Sequence, residues 1–255
     1  MEDARFMTSL ARGLEVLAAF EAQPRLTVTQ AAKQTGLSRS AAGRCLFTLE
    51  QLGYVTAEGT SYVLCPSVLP LARGFIAGNR LVRAGQSVVD DLRDRLGESS
   101  SLAMFDTRSA HGQVVYVCRA ETTRIISLPL FTGAVLPSYC TSNGRVLLAG
   151  LAAETLATFL AASEFLPRTL QTLTNSEAIR AELEKIRAQD WAMTDGELET
   201  GLRSIAVPVR NTDGTVTAAI NLATQAAHRT QDWLLQTALP ELQAAAAHLA
   251  RIIPA

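Results

Sequence analysis

"TGLSRSAAGRCL" (residues 35–46) sets two long cationic side chains, Arg39 and Arg44, among residues with almost no side chain. A solvated helix face is one explanation. The other is a helix kept slim so that it can enter a groove, its arginines reserved for what the groove contains. The flanking residues favour the second. In "LTVTQAAKQTG", Thr27 and Gln30 have the spacing of a capping box and Gly36 that of a C-terminal stop, which predicts a helix of about two turns. Leu37 is the apolar residue of the turn. Ser38 caps a helix reaching Leu52, with Ala42, Leu46 and Leu49 on one face and Gly53 closing it. Upstream, Leu10, Leu14, Leu17 and Phe20 repeat at helical spacing and predict a first helix over 8–20, which "AQPR" breaks. Downstream, "YVTAEGTSYVL" reads as two short strands turned at Glu58 and Gly59. The order is helix, short helix, tight turn, helix, hairpin: a winged helix-turn-helix.

With Ala42, Leu46 and Leu49 facing the core, Arg39, Ser40, Gly43 and Arg44 lie on or near the other side. The major groove of B-DNA is about 12 Å wide and admits a helix whose face is not bulky. Arginine can donate two hydrogen bonds to a guanine, and the short hydroxyls of Ser38 and Ser40 can reach phosphates or bases. Thr27, Thr29 and the first amides of the short helix are candidates for holding phosphates. Tyr62 and Thr60 in the wing are placed for the flanking backbone or minor groove. Phe47 shares the face of Ser40 and Arg44; contact with a thymine methyl and packing on the wing or linker both remain open. The expected partner is double-stranded operator DNA. One such module offers few contacts, so a homo-oligomer on a near-palindromic site is expected.

Charge agrees with this reading. The chain of 255 residues has a net charge of −1, yet residues 1–83 carry 9 Lys+Arg against 6 Asp+Glu, while residues 84–255 carry 14 against 18. The excess of cations lies where a polyanion is expected. Hydrophobic residues make up 48% of the chain, enough for a sizeable core, and no run of 18 apolar residues predicts a membrane span. The start, "MEDARFMTSLARGLE", has no apolar h-region. Cys45, Cys65, Cys118 and Cys140 lie far apart, and with three histidines they predict neither a zinc site nor a disulfide framework; a reducing cytoplasm fits best. No cofactor is expected.

Beyond the hairpin, "SVLPLARGFIAGNRLVRAGQSVVDDLRDRLG" reads as a linker helix followed by the first helix of a second domain. We place the DNA-binding domain at 1–66, the linker helix at 67–83 and the second domain at 84–255. In that domain "SSSLAMFD", "QVVYVCRAE", "RIISL", "SIAVPVRN" and "VTAAINLAT" are strand-like, and "LRSIAVPV" should pair with "AAINLAT" across a turn at Asp213–Gly214. "SNGRVLLAGL", "AAETLATFLAA" and "SEAIRAELEKIRAQ" are helical, and a long helix from Thr230 carries Pro240 as a kink. The fold class is α+β with a largely antiparallel sheet. "TSNGRVLL" opens its helix with a hydroxyl, an amide and a glycine, so free amides would meet an anion there. Ser142 and Asn143 serve that role or only cap the helix. Ser204 and Asn221 are polar in apolar strands, and either satisfy each other or face a cavity. Arg145 and Arg203 would pair a ligand carboxylate or, as the more ordinary use, an acid such as Glu197 or Glu199.

"LTVTQAAKQTGLSRSAAGRCLFTLEQLGYV" resembles the N-terminal domain of the IclR family of bacterial transcriptional regulators. "GAVLPSYCTSNGRVLLAGL" (133–151) and "ELETGLRSIAVPVRNTDGTVTAAINLAT" (197–224) resemble that family's effector-binding domain, within the branch that senses protocatechuate or 4-hydroxybenzoate. The likeness implies a GAF-like effector domain, a small aromatic carboxylic acid as effector, and a homodimer or homotetramer. The branch mostly activates, which makes RNA polymerase a further candidate partner. Carried over position by position, Ser142, Asn143, Asp195, Ser204, Asn221 and Ala223 match the pocket. Phe47 and Asn143 depart from the family pattern, which has a smaller residue at the first and a Met-like residue at the second. A benzoate-type acid of roughly ten heavy atoms would bind with about −6 kcal/mol, in the tens of micromolar. Two other classes need weighing: a second domain that only oligomerises, and an enzyme using Cys140 as nucleophile with His111 as base.

Overall fold

Side-chain caps decide where two helices of the first unit begin. The computed structural model describes residues 5–106, 108–122 and 130–252, and the chain divides into units 1–78 and 79–255. Unit 1 contains α1 (Thr8–Ala18), β1 (Leu26–Thr27), α2 (Val28–Thr35), α3 (Arg39–Gln51), β2 (Val55–Glu58), β3 (Ser61–Leu64) and α4 (Leu69–Gly78). At the start of α2 the Thr27 hydroxyl accepts from the Gln30 amide at 3.2 Å, and the Gln30 side chain accepts from the Thr27 amide at 2.8 Å. Gly36 ends that helix in the left-handed region at φ +69, a conformation free of Cβ strain only for glycine. Ser38 then caps α3, accepting from the Ala41 amide at 3.2 Å. The hairpin β2–β3 turns at Gly59, and β1 adds a third strand in the order β1-β3-β2.

Val16, Phe20, Leu26, Ala42, Leu46 and Val55 form the core of unit 1. The expected face of α1 is only half used. Phe20 is buried, but Leu10 and Leu14 are each 57% exposed. Val16 takes the buried position, because the core meets α1 on the side of its last turns. Leu10 lies instead along an open groove of about 610 Å³ with Met7, Cys45, Leu49 and Leu52.

Unit 2 begins at Asn79, whose side chain accepts from the Val82 amide at 3.2 Å to start α5 (Arg80–Leu96). This break falls inside the span 67–83. There follow β4 (Ser99–Phe105), β5 (Gln113–Ala120), β6 (Val135–Pro137), α6 (Ser142–Ala149), α7 (Ala153–Ala162), α8 (Ser176–Gln189), β7 (Ala192–Asp195), β8 (Leu202–Arg210), β9 (Val216–Gln225), α9 (Gln231–Trp233) and α10 (Leu239–Ala250). The strands form one antiparallel sheet in the order β6-β5-β4-β9-β8-β7. The strand expected at "RIISL" lies outside the described residues. A π turn over Leu234–Ala238 joins α9 to α10, directly before Pro240, which lacks the amide to continue a regular ladder.

The two faces of the sheet differ in bulk. Toward α5 and α10 it presents Leu102, Ile205, Val207, Ile220 and Leu222. Toward α6 it presents Ala103, Ala206 and Ala219, so α6 can lie close. The closest approach is at Gly144: a Cβ there would fall 2.2 Å from the Ser138 carbonyl oxygen. The first turn of α6 is thereby held against the loop that precedes it. Gly144→Ala should destabilise unit 2 by about 3 kcal/mol, read as a lower denaturant midpoint at unchanged slope, because the obstacle is backbone that a rotamer change cannot clear.

Candidate functional site

Unit 1 leaves its slim helix face free. Arg39, Ser40 and Arg44 are exposed, and among the described residues neither guanidinium has a hydrogen-bond or ion-pair partner. Thr29 is exposed at the start of α2. Gly43 is not on this face; it packs against Val28 of α2, 3.6 Å from the position of a Cβ. The hydroxyls of Thr27 and Ser38 are partly spent on capping, and Ser40 lies 3.2 Å from Ser38. The wing is tied to α3 where Glu50 accepts from the Ala57 amide at 3.2 Å. Tyr62 is half-buried. It pairs with Leu26 and Ala57 in the middle strand and packs on the core, so Thr60 at the turn is the more exposed wing residue. Phe47 is 60% exposed, so it is not packed on the wing.

Unit 2 buries a polar cluster where α6 meets the sheet. Thr141, not Ser142 or Asn143, caps α6: its hydroxyl accepts from the Gly144 amide at 3.2 Å and donates to the Pro137 carbonyl at 2.8 Å. Ser142 and Asn143 are therefore first-turn residues, and their own amides have no helix carbonyl to bond. The Ser142 hydroxyl accepts from Ser204 at 2.8 Å, and Ser204 lies 3.0 Å from Thr194. Asn143 is fully buried, and both polar atoms of its side chain lack a hydrogen-bond partner. The Asn221 Oδ1 and the Ser138 Oγ, at 2% and 0% exposure, lack one as well. A buried amide without partners costs free energy on the order of 1–3 kcal/mol per group, so these atoms mark a place built for something else. Ala223 pairs with Ser204 across the sheet, in the same patch.

One expectation is corrected, and one open alternative is closed. Asp195 does not join the cluster: its carboxylate takes Arg203 at 2.6 Å and the Gln231 amide at 2.9 Å. Strand alternation explains why. Thr194, one residue earlier, pairs with Ser204 and shares its face, so Asp195 points to the other side. The Asp195 carboxyl is still held below the usual carboxylate range, its partial burial being outweighed by Arg203 and Gln231. Ser204 and Asn221 do not satisfy each other; Ser204 bonds Ser142, and Asn221 Oδ1 stays open. The ordinary use of Arg145 and Arg203 is the one observed. Arg145, buried in α6, is paired with Glu197 at 2.6 Å and through a second, shorter contact, and donates to the Tyr139 carbonyl at 2.8 Å.

Arg119 and Tyr116 were not among the residues expected at the site. Arg119 donates to Ser101 at 2.9 Å and to Glu121 at 2.8 Å, and its guanidinium lies 5.7 Å from the centre of the Tyr116 ring. Its Nη2 has no partner among the described residues. Burial pushes the Tyr116 phenol up, against the pull of Arg119 and of the Asn221 and Asn143 amides, which places all four groups together. Residues 116 and 119 would face opposite ways in a regular strand. A bulge brings them to one side: Leu102 pairs with Cys118 but Ala103 pairs with Tyr116, so Val117 is an extra residue.

Comparison with known proteins follows the same division. Residues 9–59 match the family model for the IclR helix-turn-helix domain, and residues 75–251 that for the bacterial transcriptional regulator IclR C-terminal domain. The chain is 41% identical over 249 residues to the Pca regulon regulatory protein of Pseudomonas putida, covering 97% of this chain and 84% of that one. It is 31% identical over 254 residues to the p-hydroxybenzoate hydroxylase transcriptional activator of Acinetobacter baylyi, covering 97% and 92%. Its fold matches the crystal structure of an IclR homologue from Microbacterium hydrocarbonoxydans, complexed with 4-hydroxybenzoate, with a TM-score of 0.79 at 22% identity over 96% of this chain and 98% of that one.

Cys140 lies in the loop before α6 as a buried thiol. Burial pushes it up to about 11, and Cys118 up to about 12. Neither is poised as a thiolate nucleophile. His111, the base considered for it, stacks edge-on against Phe105 at 4.9 Å. A disulfide reagent at pH 8 should therefore label Cys45 and Cys65, which are partly exposed, well before Cys118 and Cys140. Rapid reaction of Cys140 in the native protein, followed by peptide mapping, would contradict this picture.

Proposed function

The chain belongs to the IclR family of bacterial transcriptional regulators, and we propose that it is an effector-responsive regulator, an activator, of genes for aromatic-acid catabolism. The observation that carries the effector reading is the set of buried side-chain atoms without partners around Asn143 and Asn221, beside an arginine with a free donor. The named activities of the relatives from Pseudomonas and Acinetobacter support the same class, as does the 4-hydroxybenzoate held by the Microbacterium homologue.

In this reading the acid's carboxylate is taken by Arg119 Nη2 and the ring lies over Tyr116 and the alanines of the sheet. The polar end meets Ser142, Asn143 and Asn221. Arg119 is suited to the carboxylate because Arg145 and Arg203 are already committed to Glu197 and Asp195. Glu121, which shares Arg119, is largely exposed, so solvent screens its competing charge. The test is a thermal-shift titration with hydroxybenzoates. At a hundredfold excess over Kd a ligand adds about 2.7 kcal/mol, or roughly 5–10 °C for a domain of this size. Arg119→Gln should remove the response to all carboxylic acids. An unchanged response in that variant, or turnover of the acid, overturns the assignment.

Unit 1 is the operator-binding part. Arg39 and Arg44 read base edges in the major groove, Ser38, Ser40 and Thr29 steady the helix on phosphates, and Thr27 contributes mainly by capping. Two copies bind a near-palindromic site. The effector must favour one arrangement of the DNA-binding units over another, and residues 67–83 carry that preference between units. Arg44→Ala should cost about 1–3 kcal/mol of operator affinity and relax base preference at one position per half-site. A loss that is equal on all sequences would make Arg44 a phosphate contact instead.

A further inference from the structure

Resting on the effector reading above, we propose that Asn143 selects effectors by a ring hydroxyl, so that the pocket rejects acids lacking one. The argument is an inventory of donors and acceptors. Asn143 is 0% exposed, and neither its Oδ1 nor its Nδ2 has a hydrogen-bond partner. It needs one donor and one acceptor, and exchanging the two atoms leaves the need the same. Asn221 Oδ1, at 2% exposure, needs a donor too. Both amides lie beside the Tyr116 phenol, which interacts with each of them but carries a single proton, so it can serve the oxygen of Asn143 or that of Asn221 and not both.

A carboxylate has no proton to give, so it can answer the Asn143 Nδ2 but not its Oδ1 or that of Asn221. An ether oxygen has the same deficiency, and a methyl group answers nothing. A hydroxyl does both at once, donating to one amide oxygen and accepting from the Nδ2. The demand cannot be relieved by moving the residue. Gly144 holds this turn of α6 against the Ser138 carbonyl, and the Thr141 cap fixes its start. An apolar residue at this position would leave the ring edge unread; the amide makes the absence of a hydroxyl costly. Sites built to hydrogen-bond a substrate hydroxyl reject the analogue without it, because their own polar groups are then stranded.

The experiment is a titration calorimetry cycle on the full chain, with the carboxylate held constant. 3- and 4-hydroxybenzoate are compared with the corresponding methoxy and methyl benzoates and with benzoate, against the unaltered protein and Asn143→Leu. The unaltered protein should bind at least one hydroxybenzoate at least tenfold more tightly than its methoxy and methyl counterparts. Asn143→Leu should shrink that gap to less than about threefold, chiefly by weakening the hydroxylated acid. Asn143→Ala serves if the leucine variant does not fold, as judged by its melting transition. The same ranking with the same gaps in both proteins overturns the selectivity while leaving the effector reading intact. Equal affinity of the unaltered protein for hydroxylated and methylated acids does likewise. Failure of every acid to bind the unaltered protein overturns the effector reading and this inference together.

Discussion

A helix that starts in the interior must have its first amides answered there, and the organisation of unit 2 follows from that constraint at α6. Residues 141–149 are buried throughout, and Gly144 brings the first turn onto the Ser138 backbone. Thr141 answers one amide; those of Ser142 and Asn143 have no partner within the helix. The sheet beneath is correspondingly small-sided and polar. Alanines let α6 approach, while Ser204, Asn221, Ser101 and Arg119 bring the hydrogen-bonding groups. In unit 1 the same problem has the opposite solution. α2 and α3 begin at the surface, Thr27 and Ser38 cap them, and the remaining first-turn groups face outward for a partner.

That difference accounts for what was legible in the sequence. Every signal that built unit 1 acts within four residues of itself: Thr27 with Gln30, Gly36 at the C-terminus of α2, Ser38 with Ala41, Gly59 at the hairpin. Such signals survive in the linear text. The helical period of α1 was equally plain, but periodicity does not say which of two apolar faces the chain's own core will use; Val16 and Phe20 are inside and Leu10 and Leu14 are not. The short edge strands β6 and β7 give too few residues for a pattern to show.

The candidate site was half legible for a different reason. Ser142, Asn143, Ser204 and Asn221 are polar residues in apolar surroundings, which a sequence displays directly. Membership of the cluster otherwise depends on strand parity, and parity is a property of register. A shift of one residue separates Thr194, which bonds Ser204, from Asp195, which serves Arg203. Arg119 and Tyr116 share a face only because Val117 is bulged out, and nothing in "QVVYVCRAE" announces that.

The arginines of this chain then sort by what already holds them. Arg145 is buried, and its whole guanidinium is engaged by Glu197 and a carbonyl; removing either partner would strand a charge in the interior, so its task is to fix α6. Arg203 is bound through its two Nη atoms to Asp195 and to the Arg229 carbonyl, while its buried Nε has no partner. Arg119 keeps one donor open beside the partnerless amides, and Arg39 and Arg44 keep all of theirs open toward solvent. A cation gains little by being exposed and unpaired, and loses a good deal by being buried half-paired, unless an anion is to arrive. The two kinds of unfinished arginine therefore point to two kinds of anion. On the effector reading proposed above, the interior of unit 2 suits a single carboxylate on a small planar molecule, and the solvent-facing side of α3 suits the polyanionic groove that its small side chains leave it slim enough to enter.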